Sequence, residues 1–407
     1  MIWTRFSLSI CAALLRAGTC RASSYQCVID GMELNEPKFA GEHCRVRASA
    51  NESQACDFWR GAHGALRPLM HDPAQSTAVI MIGDSICRHQ FFDLLCSLQA
   101  GGAHVRLQLF NASNGRLATH PDATTSRSSE RGGRPKDAIT DATGRNYAEQ
   151  WCWSANPPTL CMLHVARIGR LAIIYAKVFA VWAGDLDVLR PPFESLMSQL
   201  KPCDVIVHLC SVKAHKLSGS FASNQYYASR TIGGMLSWAK GLFGPLIRYT
   251  YYRPATIAHF PTSDGEYIKG AAAPATIHRS PDSQAAASWL PPLDVQYACQ
   301  PLSATARRAK ERLSDGEVGW VENTMRRHRT YMQVANQSRL GATNFIATVP
   351  NVLKHSIDAW QDHPHLPKGV ATDCLHFCFG PQRCSGVMHE VNKEWWRHML
   401  PVINQHV

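Results

Sequence analysis

The stretch Thr77-Ala-Val-Ile-Met-Ile-Gly-Asp-Ser85 decides how the rest of the chain reads. Ala78 to Ile82 is a short run of buried-strand composition that ends at Gly83-Asp84-Ser85. Phe91, Phe92, Leu94, Leu95 and Leu98 then recur at helical spacing, so a helix follows the strand directly. A serine at such a junction has a small neighbour behind it, so its hydroxyl can protrude. Its own N–H can face an incoming oxyanion, and the helix N-terminus adds partial positive charge. In open α/β sheets, sites form at these carboxyl strand ends. The three-residue string alone recurs by chance, and serine is an ordinary helix cap. It needs a partner elsewhere.

Working outward, further short β-rich runs follow at Leu171–Tyr175, Cys203–His208, Leu246–Tyr252 and Asn344–Val349, each separated from the next by more than a hairpin needs. Residues 303–340 and Val391–Leu400 read as helix. Strands alternating with helices predict an α/β fold with a mainly parallel sheet covered on both faces. The expected organisation has a leader at 1–24, a loop-rich, disulfide-stapled region at 25–75 and a catalytic domain at 76–407. Residues 111–146 carry no aromatic and almost no large aliphatic side chain, and read as a solvated, mobile insertion.

Composition bounds the function. The chain has 407 residues, 45% hydrophobic and 18% charged, which excludes wholesale disorder, coiled coil and collagen. A net charge of +11 favours polyanionic or acidic surroundings such as glycans or a membrane face. No Lys/Arg-dense stripe with interleaved aromatics appears, which argues against nucleic acid. Arg5 followed by the apolar run Phe6–Leu15 and a small-residue exit reads as a secretory signal. The alternative is an uncleaved signal-anchor that tethers the N-terminus to a membrane. Fifteen cysteines, thirteen of them after residue 24, suit disulfides in an oxidising compartment. Thirteen is odd, which leaves at least one thiol free, and Cys87 is the candidate. Asn-x-Ser acceptors at Asn51, Asn111 and Asn336 agree with the secretory pathway, either the Golgi lumen or the outside of the cell.

The partner for Ser85 is Asp373-Cys374-Leu375-His376. A carboxylate three residues before an imidazole can lie on the same side of a helical turn and hold the ring's tautomer. The other ring nitrogen then takes a proton from serine. An early serine at a strand–helix junction with a late Asp-x-x-His is far more specific than either half.

These residues resemble a known family. Val79-Ile-Met-Ile-Gly-Asp-Ser-Ile-Cys-Arg-His-Gln90, continuing to Leu94-Leu-Cys-Ser-Leu98, is similar to block one of the PC-esterase group. Within that group it is most like the plant trichome-birefringence-like polysaccharide O-acetyltransferases, whose block reads Gly-Asp-Ser-Leu-Ser-Arg-Asn-Gln. Asp373-Cys-Leu-His-Phe-Cys378 resembles their Asp-Cys-Ser-His-Trp-Cys, and Arg253-Pro-Ala-Thr-Ile-Ala-His-Phe260 resembles their Arg-Thr-x-Ser-x-x-His-Phe. The resemblance spans about residues 78–396, leaving 111–146 unmatched. It implies a Ser-Gly-Asn-His-hydrolase-like α/β/α sandwich and an acyl-enzyme mechanism. Ser85 would be the nucleophile, His376 the base and Asp373 its orienting acid. Gly83, Asp84, Arg88, Arg253 and His259 would serve the oxyanion or the substrate. Departures are Ile86 and Cys87 for Leu-Ser, and His89 for Asn. Where the family carries Asn-Thr-Gly after a strand, Leu209-Cys210-Ser211 stands here, so His208 or a backbone N–H would take the place of the oxyanion-binding Asn.

Other readings use the same residues. Cys374, His376, Cys378, Cys384 and His389 could be drawn as a zinc site, but the spacings are irregular and disulfides fit the compartment better, so no metal is expected. His208 and His215 could be ligands, though a lone strand histidine is more often a core residue. Trp151, Trp153, Trp395 and Trp396 could stack on sugar rings. The expected activity is serine-dependent transfer of acetyl groups onto carbohydrate hydroxyls. No bound cofactor is implied; an acetyl donor of unspecified identity is the co-substrate and a glycan the acceptor. The alternatives are a carbohydrate acetylesterase with the same triad, and a glycan-binding pseudoenzyme.

Overall fold

The computed structural model describes residues 27–30, 32–33, 52–66, 76–111, 115–119, 162–177, 183–210, 233–260, 299–336, 345–348, 352–363, 374, 376–378 and 386–403. Strands β1 (Val28–Ile29) and β2 (Met32–Glu33) form a small antiparallel ribbon. The main sheet has eight strands: β3 (Thr77–Gly83), β4 (Arg106–Asn111), β5 (Arg116–Thr119), β6 (Met162–Ile168), β7 (Leu171–Lys177), β8 (Asp204–Cys210), β9 (Ile247–Arg253) and β10 (Phe345–Thr348). Their spatial order is β10-β9-β8-β3-β7-β6-β4-β5.

Strands β10, β9, β8, β3 and β7 are mutually parallel, and β6, β4 and β5 extend the sheet antiparallel. The fold is α/β, as the alternation of runs predicts, but the sheet is mixed. Two tight connections produce the antiparallel edge. Gly169 (φ 59°) lies in the turn between β6 and β7, and Gly115 (φ 64°) immediately precedes β5; both occupy the left-handed region that glycine enters without a Cβ penalty. Residues 111–146 are therefore not uniformly an insertion: Asn111 ends β4 and Arg116–Thr119 is a paired strand. Residues 120–161 lie outside the described residues.

The helices are α1 (Glu52–Ala65), α2 (Ser85–Ala100), α3 (Ala183–Leu200), α4 (233–243), α5 (Ala304–Asn336), α6 (Val352–Ser356) and α7 (Val387–Ile403). Alternation along β3 sends Val79 and Met81 to one face and Ala78, Ile80 and Ile82 to the other. On the first face they meet Trp59 of α1, Phe91 and Leu94 of α2, and Trp395 and Trp396 of α7. On the second they meet Leu189 and Phe193 of α3, Trp238 of α4 and Val321 of α5. A strand buried on both faces reads as a continuous apolar run, which is why β3 stands out in the sequence.

Region 25–75 is not merely loops, since α1 occupies fourteen residues of it. Of its three cysteines, Cys27 is bonded to Cys96 of α2 and Cys56 falls within α1; Cys44 lies outside the described residues, as does the leader at 1–24. Cys87 is not a free thiol. It forms a disulfide with Cys210, 123 residues away, which ties the start of α2 to the end of β8. Among the described residues, no helix is long and apolar enough to cross a membrane.

Candidate active site

Four parallel strands deliver their carboxyl ends to one place. Gly83 ends β3, Cys210 ends β8 opposite Arg253 at the end of β9, and Lys177 of β7 pairs with Gly83. The β3–α2 turn is held from three sides. Asp84 is the N-cap of α2, and its Oδ1 accepts from the Ile86 N–H at 2.9 Å and the Cys87 N–H at 3.3 Å. A cap of this kind contributes about 1 kcal/mol. Tyr175 of β7 donates its hydroxyl hydrogen to the Asp84 carbonyl at 2.8 Å. The Cys87–Cys210 disulfide lies against Gly83, where an added Cβ would come within 2.6 Å of both cysteine Cβ atoms. Only glycine fits.

Ser85 opens α2 and is half-buried. His376, 291 positions later, presents Nε2 to Ser85 Oγ at 2.7 Å. The pairing expected from Gly-Asp-Ser and Asp-x-x-His is thus present, and an imidazole at that distance can accept the hydroxyl proton. Asp373, its expected orienting partner, lies outside the described residues. The helix start leaves a specific donor for a developing oxyanion. Asp84 takes up the N–H groups of Ile86 and Cys87, and the Arg88 N–H donates to the Asp84 carbonyl at 3.0 Å. Of the first four N–H groups of α2, that of Ser85 is not engaged by this cap.

The other expected residues take different places. Asp84 is buried and acts through the backbone of α2 rather than towards a ligand. Arg88 lies a turn beyond Ser85 and is also buried. Arg253 is fully buried; its Nη1 donates to the Pro254 carbonyl at 3.2 Å, and burial pushes its pKa down against the opposing charge of Asp84. His208 is a core residue. Its Nε2 donates to Gln90 Oε1 at 3.2 Å and its ring lies 4.3 Å from that of Trp395. Burial, then the Arg253 charge, hold its pKa well below the ordinary value, so the ring is neutral. An enclosed imidazole so engaged does not present an N–H to a substrate oxygen. His259 is also fully buried and meets His363 rather than a cleft.

Two residues near His376 were not among those expected at the site. The ring of His89 lies tilted against that of His376 with centroids 4.9 Å apart; it is visible in the sequence as the substitution for the Asn of block one. His363 reaches the carbonyl of His376 through Nδ1 at 2.7 Å, and its position thirteen residues upstream follows no helical or strand period. A small apolar cluster of Ile86, Ala255, Ala258, Phe377 and Met388 packs the start of α2 against the segment bearing His376.

The zinc grouping is answered by bonds already made. Cys374 is joined to Cys299, and Cys378 is disulfide-bonded as well. His389 accepts from Trp59 Nε1 at 3.2 Å and donates from Nδ1 to Ser97 at 3.1 Å. Trp395 and Trp396 are fully buried, so they are core and not a sugar platform; Trp151, Trp153, Cys384 and His215 lie outside the described residues. Comparison with protein-family models finds no match, and comparison with curated proteins finds none.

Proposed function

We propose that the chain is a serine acyltransferase that moves acetyl groups onto carbohydrate hydroxyls through an acetyl-serine, on an α/β/α sandwich of the Ser-Gly-Asn-His-hydrolase type. The observation that carries this reading is the 2.7 Å contact between His376 Nε2 and Ser85 Oγ at the carboxyl end of a parallel sheet. His376 takes the hydroxyl proton while Ser85 Oγ attacks the carbonyl of an acetyl donor. The Ser85 N–H, backed by the dipole of α2, faces the resulting oxyanion. Collapse expels the donor's leaving group, which collects the proton from His376. A sugar hydroxyl then gives its proton to His376 and attacks the acetyl carbon, forming the product ester. The serine oxygen leaves and is reprotonated. Asp373 serves as the orienting carboxylate.

Acetyl and carbohydrate follow from the motif resemblance, and the secretory setting from the disulfides and the leader-like N-terminus. Transfer outruns hydrolysis only where the acceptor is held close and water is kept out. The test is to incubate the mature protein with an acetyl donor and look for an acetylated Ser85 peptide by mass spectrometry. Equal labelling of wild type and Ser85→Ala would defeat the reading. Product partition distinguishes the esterase: release of acetate alone, with every glycan acceptor tried, assigns the second step to water.

A further inference from the structure

Behind the catalytic contact, two histidines meet nitrogen to nitrogen. His259 Nδ1 lies 2.8 Å from His363 Nε2. The outer nitrogens face main-chain carbonyls: His259 Nε2 is 3.1 Å from the Ile357 oxygen, and His363 Nδ1 is 2.7 Å from the His376 oxygen. Both residues are fully buried. A carbonyl oxygen only accepts, so each outer nitrogen carries a hydrogen. A neutral imidazole has one N–H. Two neutral rings would therefore oppose lone pairs at 2.8 Å, whereas a third hydrogen turns the contact into a charge-assisted bond.

We infer that His259 and His363 form a buried pair sharing one extra proton, and that this singly charged pair positions His376 by holding its main-chain carbonyl. The functional half of this inference rests on the acyl-transfer reading; the proton count rests on the bonding alone. The same neighbourhood anchors the rest of the segment. The His259 N–H donates to the Cys374 carbonyl at 2.9 Å, the Cys378 N–H donates to the Asp362 carbonyl at 2.6 Å, and the ring of Phe377 stacks on His363 at 4.5 Å. Among these ties, the histidine pair is the one that a proton can make or break.

The surrounding charges are opposed. Burial pushes the His259 pKa down by more than the Ile357 carbonyl and the Asp358 carboxylate push it up, and buried Lys310 of α5 adds to the lowering, so the third hydrogen is held by the contact geometry against a net downward shift. Asp358 is itself shared with Arg307 of α5, whose Nη1 and Nη2 donate at 2.6 and 3.1 Å. Among the described residues, Lys354, His355 and Asp362 share the segment of His363, Arg253 precedes His259 on its own segment, and the ring of His376 belongs to the residue whose carbonyl His363 meets. The sign is fixed by the bonding. Protonation lets all three contacts be hydrogen bonds at once; as pH rises the pair loses its third hydrogen, one of the three bonds fails, and the hold on the His376 carbonyl loosens.

Two measurements test this. In full-length protein with 15N-labelled histidine, the ring nitrogens of His259 and His363 should show three protonated sites of four at low pH. One should be lost as the pH is raised from about 3 to 8, at a pH below the ordinary imidazole value because burial disfavours the extra charge. Two protonated nitrogens across that range would overturn the inference, whatever the activity. The second measurement compares His259→Asn, which offers an uncharged amide N–H to His363, with His259→Leu, which offers none. The Leu variant should lose about ten- to a hundredfold in kcat with KM unchanged and should shift the His376 ring resonances. The Asn variant should recover most of the kcat and should lack the alkaline fall. If Asn and Leu reduce kcat alike and keep the pH profile of the wild type, positioning is disproved. Absence of acyl transfer in wild type would sink the acyltransferase reading instead, leaving the nitrogen count and the His376 resonances to judge the pair.

Discussion

Gly83 and Cys210 are packed so closely that a Cβ on the glycine would lie 2.6 Å from the Cβ of the cysteine. Ordinary side-chain contacts are never that short. In Gly83→Ala, β3 must shift or the Cys87–Cys210 bond must give way, and overpacking of this kind costs about 1–3 kcal/mol. The expected outcome is a lower melting temperature together with loss of acetyl-Ser85 labelling, because the shift falls two residues from Ser85. A variant that melts and labels like wild type would show that the turn has slack.

Tyr175 acts on the same turn from the opposite strand. Removing its hydroxyl in Tyr175→Phe deletes the 2.8 Å bond to the Asp84 carbonyl while keeping the ring that stacks on Phe91. Stability should fall by about 1 kcal/mol, measured by urea denaturation. The labelling rate should fall further than that, because the lost bond fixes the residue before Ser85.

Asp93 sets an alkaline weakness. Its Oδ2 accepts from Asn392 Nδ2 at 3.0 Å, and burial, with the Glu390 charge adding, pushes its pKa from 3.8 up to about 7. A carboxyl raised on folding contributes most stability below its unfolded pKa, and that contribution is lost as pH rises through the folded value. Asp93→Asn keeps an acceptor for Asn392 and removes the charge. It should raise stability well above pH 7 by up to about 4 kcal/mol, the worth of the shift, and change it little near pH 4. Melting temperatures that track wild type at both pH values would refute this.

His389 does the reverse. Because Trp59 donates to its Nε2, the ring must be neutral, and burial followed by the Lys393 charge lowers its pKa from 6.5 to about 3. A basic group depressed on folding contributes stability above its unfolded pKa, lost as pH falls towards the folded one. Denaturant midpoints should therefore decline from about pH 6.5 downward in wild type, and His389→Leu should flatten that decline while lowering the midpoint at neutral pH.

The parts of the fold that were legible in the sequence are those where one physical requirement dominates. β3 is apolar because both its faces are covered, and Gly-Asp-Ser stands out because a glycine, a cap and the serine that opens α2 share one turn. Helix α3 was not legible because Pro191 and Pro192 read as a break, yet the helix continues through them. α1 was obscured by Gly61 and Gly64, and β5 by its polar surroundings, although Asn114-Gly115 is a strong turn signal. Cys87 was misread because disulfide partners are set by the tertiary fold, and Cys210 is 123 positions distant. His208 and His259 were expected to face the oxyanion or the substrate and are core residues instead, because sequence does not say whether an imidazole faces a cleft or the interior.

The Cys299–Cys374 bond gives the molecule an order of manufacture. Cys374 stands two residues ahead of the imidazole that meets Ser85, and the 75-residue span it closes cannot be locked until both thiols have been oxidised. A chain freshly made, or expressed where glutathione keeps thiols reduced, would own its serine long before it owned a seated base. The seating of His376 against Ser85 would then follow oxidation rather than translation, so preparations of identical sequence could differ in that contact according to where they were made.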